Sequence, residues 1–187
     1  MKKFICVLLI LSSIVTVLSM YGCSNSGGTV SDDMFVYTLI EDGVGSYYFE
    51  LGKGTYMVSA KDPAKLKGNV VIPDEFNGIP VTAIDGYGFK DCDKITSVVI
   101  GENIEYIGTA AFFRCDLLQT VSLPSSIKEI GRLGIVGQCP MLMSAEYNGT
   151  TSEFDNIKGN ATDSWVNTDI YVSCTDGAVR VYDKKYN

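Results

Sequence analysis

One offset, 23 residues, recurs along the middle of this chain and restricts what it can fold into. Ile84, Ile107 and Ile130 stand 23 apart, as do Phe89 and Phe112, Val98 and Val121, Ile100 and Leu123, and Gly108 and Gly131. Cys92 and Cys115 keep the offset, and Cys139 follows 24 later because one extra residue enters after Ile135. Val70-Val71-Ile72-Pro73 joins the pattern ahead of an insertion of five residues near Asp74 to Gly78. A unit this short cannot bury its own apolar face, so successive units must stack and stabilise one another through neighbour contacts.

Each unit holds two runs of β type. One is Thr96 to Ile100, matched by Gln119 to Leu123; the other is Ile104 to Ile107, matched by Ile127 to Ile130. Both alternate and carry β-branched residues, as half-buried strands do. Pro73 and Pro124 close the first run, where a missing donor does little harm. The expected fold is mainly β: a short right-handed solenoid of about three coils of 23 residues. Three coils at strand spacing rise only about 15 Å, so the expected concave surface is small.

Both ends need caps. Runs at Phe35 to Ile40, Ser46 to Leu51 and Thr55 to Ala60, separated by Gly-containing turns, predict a small β cap before the array. After it, Thr150-x-x-Glu153 is a capping box that predicts a short helix. A hairpin over Ile170 to Cys174 and Ala178 to Tyr182 follows, turning at Asp176-Gly177.

The motif Phe89-x-x-Cys92, Ile95, Ser97 to Ile100, Ile104 to Gly108, repeated through Ala110-Ala111-Phe112-Phe113-Arg114-Cys115, resembles the BspA-type leucine-rich repeat of bacterial surface proteins. Gly78 to Ile84 resembles the family's first coil, and Tyr147 to Gly177 its exit. The third coil departs from the pattern, since Leu133 to Gly137 replaces the Ala-Phe motif, and Phe154 stands where the family usually has Trp. The resemblance implies a leucine-rich-repeat solenoid that is exported or surface-attached and recognises protein, in the manner of an adhesin.

The N-terminus agrees with export. Lys2 and Lys3 precede an apolar run from Phe4 to Leu18, too short for a spanning helix, and Ser19-Met20-Tyr21-Gly22 leads to Cys23, with Met20 where Leu and Tyr21 where a small residue is usual. Gly22-Cys23 followed by Ser24 to Gly28 resembles a lipoprotein lipobox, which implies acylation of Cys23 and a membrane anchor. The alternatives are ordinary signal cleavage or an uncleaved anchor helix. The chain therefore divides into a leader over 1–22, a tether over 23–33, a β cap over 34–66, the leucine-rich-repeat solenoid over 67–142 and a C-terminal cap over 143–187.

Composition argues against several chemistries. The formal charge is −7, and loss of Lys2 and Lys3 makes it two units more negative, which opposes nucleic-acid binding. There is no histidine, so no Ser-His-Asp or Cys-His machinery and no His-containing zinc site can form. No Walker or EF-hand loop is present, and Gly43-x-Gly45 and Gly52-x-Gly54 lack the rest of a dinucleotide fingerprint. No catalytic residue, metal ligand or cofactor is nominated. Cys92, Cys115 and Cys139 fall in one column. Buried packing, a disulfide between neighbouring coils and a metal site are all open, and packing suits a small buried hydrophobe.

Two outward columns form the candidate binding face. Asn69, Ser97, Thr120 and Ser144 align in the first; Val71, Val99, Ser122 and Glu146 align in the second. On the other strand Thr82, Glu105 and Lys128 align, as do Ala83, Tyr106 and Glu129. The expected function is a lipid-anchored binding module at the cell surface, taking a protein or glycan ligand. The alternative is a structural component of the cell envelope with no ligand of its own.

Overall fold

The computed structural model describes residues 32–41, 52–135, 137–159, 165 and 169–182. The leader, Cys23, the tether up to residue 31 and the expected strand from Ser46 to Leu51 lie outside the described residues. A 3-10 turn at Asp32–Met34 precedes β1 (Phe35–Leu39) and β2 (Tyr56–Ala60). Then come β3 (Lys67–Val71), β4 (Glu75–Phe76), β5 (Ile79–Ile84), β6 (Lys94–Val99), β7 (Tyr106–Ile107), β8 (Thr120–Leu123) and β9 (Glu129–Ile130). The described chain ends through β10 (Ser144–Tyr147), α1 (Thr151–Asn156), β11 (Asp169–Cys174) and β12 (Gly177–Tyr182).

The strands sort into two sheets. The first runs β12-β11-β10-β8-β6-β3; the second runs β1-β2-β5-β7-β9, with β4 hairpinned onto β5. From β2 to β10 the chain passes back and forth between the sheets, and the whole winds as a solenoid of about five turns. Neighbouring coils pair in parallel, while β1 and β12 close the array as antiparallel strands.

The repeated apolar positions become continuous buried columns. Val70, Val98, Val121, Ala145 and Val172 lie side by side in the first sheet, all buried. Ile84, Ile107 and Ile130 do the same in the second. Phe89 and Phe112 stack with centroids 5.3 Å apart, and Ile135 is buried in the corresponding place of the next coil. Each such side chain contributes roughly 1.5–3 kcal/mol by leaving water.

The array is longer than the three coils counted from the 23-residue period. β10 and β11 continue the first sheet in parallel register, although they lie in the segment read as a C-terminal cap. Ser144 follows its partner Thr120 by 24 residues, and Val172 follows Ala145 by 27. The spacing drifts, so the repeat offset reaches β10 only when one extra residue is allowed and does not reach β11, while backbone pairing and the buried Val column accept both.

The third coil's altered motif also makes the standard corner. Tyr87, Ala110 and Leu133 all have a left-handed backbone, with φ of 59°, 52° and 58°. So do Asp91, Arg114 and Gln138. Left-handed geometry costs about 1–2 kcal/mol at a residue with a Cβ. The cost is offset because the corner donates to the next coil: Tyr87 N to Thr109 O, Asp91 N to Phe113 O, Ala110 N to Arg132 O and Arg114 N to Gly137 O, at 2.8–2.9 Å. The corner is thus set by inter-coil hydrogen bonds rather than by the Ala-Phe side chains.

Aromatic residues plug both ends. Tyr37 stacks on Phe76 at 3.9 Å and Phe35 meets Phe89 edge-on at 6.0 Å. At the far end Tyr147, Phe154 and the buried Trp165 pack in series, at 5.4 and 6.2 Å. The expected capping box is present. Glu153 N donates to Thr150 Oγ1 and Thr150 N donates to Glu153 Oε2, which lowers the Glu153 carboxyl from its ordinary range. The expected hairpin is β11–β12, with Cys174 opposite Gly177 across Thr175-Asp176.

Candidate binding face

Alternation along the first sheet sends every second side chain outward, and the parallel register lines these up across coils. Asn69 pairs with Ser97, Ser97 with Thr120 and Thr120 with Ser144. Val71 pairs with Val99, Val99 with Ser122, Ser122 with Glu146 and Glu146 with Ser173. All eight residues of the two expected columns are therefore adjacent, as are the second-sheet pairs Ala83–Tyr106 and Tyr106–Glu129.

The face is mixed in character. Ser97 Oγ donates to Asn69 Oδ1 at 2.8 Å, which ties the first column together at its N-terminal end. Val71 and Val99 remain 57% and 45% exposed although they adjoin one another, so no other part of the described chain covers them. Beyond the strand ends, Glu102 N donates to Asp74 Oδ1, and Asn148 Nδ2 donates to Glu102 Oε1 at 3.1 Å. These bonds brace the turns beneath the face.

The second sheet presents a different surface. Lys128 pairs with Glu105 at 2.8 Å and Lys158 with Glu129 at 2.9 Å, so its charges are internally matched. The hydrogen bond to Glu105 raises the Lys128 ammonium above its ordinary value. Such exposed pairs contribute between nothing and about 1 kcal/mol.

Sequence reading missed the aromatic and apolar part of the first-sheet surface. Ala145 pairs with Val172, which sets Tyr171 beside Ser144, and Tyr171 is 61% exposed. Met143 is 65% exposed, and Leu117 and Met141 are exposed as well. These residues sit where the 23-residue offset has broken or has no third member. The alternation of Ile170-Tyr171-Val172-Ser173 was a usable signal, since its buried partners Ile170 and Val172 imply an outward Tyr171.

The cysteine column resolves as packing. Cys92, Cys115, Cys139 and Cys174 are free thiols, and the first three are buried. Cys115 Sγ donates to Phe89 O at 3.2 Å and Cys139 Sγ to Phe112 O at 3.1 Å, so each thiol satisfies a corner carbonyl of the preceding coil. Burial, then Asp91 and Asp93, pushes the Cys92 thiol up to about 12. Contact with Cys139 and burial raise Cys115 well above an ordinary thiol. Among the described residues no three potential ligands converge as a metal site requires. Iodoacetamide at pH 8 should therefore alkylate half-buried Cys174 first and leave Cys92 and Cys115 unmodified until denaturant is added. Peptide mapping by mass spectrometry reads this; equal labelling of Cys92 and Cys174 in the folded protein would contradict it.

Stacked parallel coils, strand-lined faces and corner turns closed by inter-coil bonds define a leucine-rich-repeat solenoid. Residues 70–160 match the family described as BspA type leucine rich repeat region, in six copies, and this part of the chain belongs to that family. Among solved structures the chain is similar to the T. pallidum leucine-rich repeat protein TpLRR, at 20% identity and a TM-score of 0.51. That match covers 67% of this chain and 56% of TpLRR. The pneumococcal vaccine antigen PcpA is also similar, at 19% identity and a TM-score of 0.39, over 66% of this chain and 33% of PcpA. The chain thus spans about half of TpLRR and a third of PcpA. None of the curated proteins matches it.

Proposed function

We propose that this chain is a binding module held at the cell surface, and that the outward face of the first sheet takes a protein partner. The carrying observation is the in-register ladder Asn69–Ser97–Thr120–Ser144 with Val71–Val99–Ser122–Glu146 beside it. A rigid ladder presents side chains at fixed strand spacing, so little ordering entropy is lost on docking. Val71 and Val99 supply apolar area, and the hydroxyls supply donors and acceptors. The repeat family supports a non-enzymatic recognition role, as does a chain without histidine. In this reading lipid on Cys23 tethers the module outside the cell, its ligand is a protein or a glycan of the adhesion type, and it needs no cofactor.

The test is surface plasmon resonance of the soluble fragment 29–187 against immobilised extracellular matrix proteins and a glycan array. A saturable partner should be found, and Thr120→Lys with Ser97→Lys should weaken it at least about tenfold by blocking the ladder's centre. Lys128→Glu on the second sheet should leave it unchanged. Binding that responds to Lys128→Glu and ignores the ladder would overturn the assignment. Incorporation of radiolabelled palmitate, abolished by Cys23→Ala, tests the tether separately.

A further inference from the structure

We infer that the corner formed by Leu117, Met141, Met143 and Tyr171 is the apolar anchor of the docking surface, and that its partner is a polypeptide segment carrying apolar side chains flanked by Lys or Arg. This rests on the binding-module reading above and names the chemistry of the partner.

Register assembles the corner. Leu117 and Met141 each follow a column cysteine by two residues, so they lie on adjacent coils. Met143 N and Ser144 N both donate to Gln119 O, at 2.9 and 3.3 Å, and this irregularity leaves both side chains outside. Tyr171 stands beside Ser144 on the next strand. Four large apolar side chains thus lie exposed on three neighbouring coils at one edge of the polar ladder, where isolated ones would need no explanation. Methionine and tyrosine suit such a role, the first by adapting its shape and the second as a rigid anchor with a polar tip. Beside Met141 a cleft of about 490 Å³, lined by Asp116, Gln138, Cys139 and Pro140, can accept a side chain.

Charge selects the occupant. Asp116 lies beside Leu117, Asp93 is one coil away, and Glu146 is two residues beyond Ser144 on the same face; all three are exposed, and none has a salt-bridge partner among the described residues. Of the cations nearby, Lys94 and Lys67 stand on the β6 and β3 side of the corner, away from Tyr171. Arg180 holds Asp169 through two bonds of 2.8 Å, and Lys94 donates to Ala64 O at 3.3 Å. An apolar patch rimmed by unmatched carboxylates attracts cationic segments and repels anionic ones, acidic membrane surfaces included.

The experiment uses the full chain in detergent and two fluorescein-labelled peptides, one alternating Leu with Lys and one alternating Leu with Glu, followed by anisotropy. The Leu–Lys peptide should bind saturably and more weakly as salt rises; the Leu–Glu peptide should not. Met143→Ala with Tyr171→Ala should weaken binding roughly tenfold or more, and so should Leu117→Ala with Met141→Ala, with unchanged circular dichroism in each case. Asp116→Asn with Glu146→Gln should slow association and flatten the salt dependence. Equal binding of both peptides, or indifference to both apolar pairs, overturns the inference. A dimer seen by light scattering and dispersed by Met143→Asp would assign the corner to a second copy and overturn it too. If the Ser97 and Thr120 variants abolish partner binding while the corner variants do not, the binding-module reading stands and this inference alone fails.

Discussion

Phe112→Ala should lower the unfolding free energy by about 3–5 kcal/mol, the range for truncating a buried aromatic side chain. Phe112 is fully buried between coils, its ring 5.3 Å from Phe89 at an interplanar angle of 20°. Its carbonyl also accepts the Cys139 thiol, so the residue joins two coils through both side chain and backbone. The cavity cannot close by local collapse. Moving either coil inward would pull apart the bonds from Asp91 N to Phe113 O and from Arg114 N to Gly137 O. Domains of this size have only about 5–15 kcal/mol in total, so much of the stability is at stake. Urea unfolding followed by circular dichroism measures it. A loss below 1 kcal/mol would mean that the aromatic stack does not hold the coils together.

Gly108→Ala should cost about 3 kcal/mol or more, at the severe end of overpacking. A Cβ at Gly108 would stand 2.6 Å from the Asp85 carbonyl carbon and 2.7 Å from Gly86 Cα, with Gly86 N closer still. These are backbone atoms of the turn that follows β5, and they cannot rotate away as a side-chain tip would. Gly131 repeats the situation one coil later, 2.6 Å from Thr109 N. The coils there are in backbone contact, and Gly108 N donates to Ile84 O at 2.9 Å, Gly131 N to Ile107 O at 2.7 Å. Gly68→Ala is the useful comparison: there the limit is a φ of +68° and nothing lies within 4 Å of the added carbon. Thermal unfolding should rank Gly108→Ala as the more damaging of the two; the reverse order would show that the coils can part at Gly108 without penalty.

The proposed binding surface follows from the same stacking that makes these positions sensitive. A face built from parallel coils is rigid because every coil is held by both neighbours. Met143 and Tyr171 are 65% and 61% exposed, so function can be altered there with little cost to the fold. That separation is what makes the corner open to a clean test.

The 23-residue period was enough to read the solenoid, its two strands per coil and the membership of both outward columns. Those properties depend only on which residues recur, and stacking turns recurrence into adjacency. Thr150 and Glu153 were legible for a similar reason, since a capping box is local chemistry between residues three apart. The length of the array was not legible. β10 is reached through Ser144 and Glu146 once one extra residue is allowed, but β11 pairs with β10 at an offset of 27 across the intervening helix, and only hydrogen bonding between the coils shows it there. The left-handed corners at Tyr87, Ala110 and Leu133 were hidden as well, because none is glycine and their backbone is set by bonds to the next coil. Most consequential for function, Tyr171, Met143, Met141 and Leu117 come together only after the coils stack. Sequence decided which residues repeat and face outward; the tertiary structure alone decided which non-repeating residues join them, because parallel pairing aligns strands by register rather than by their distance along the chain.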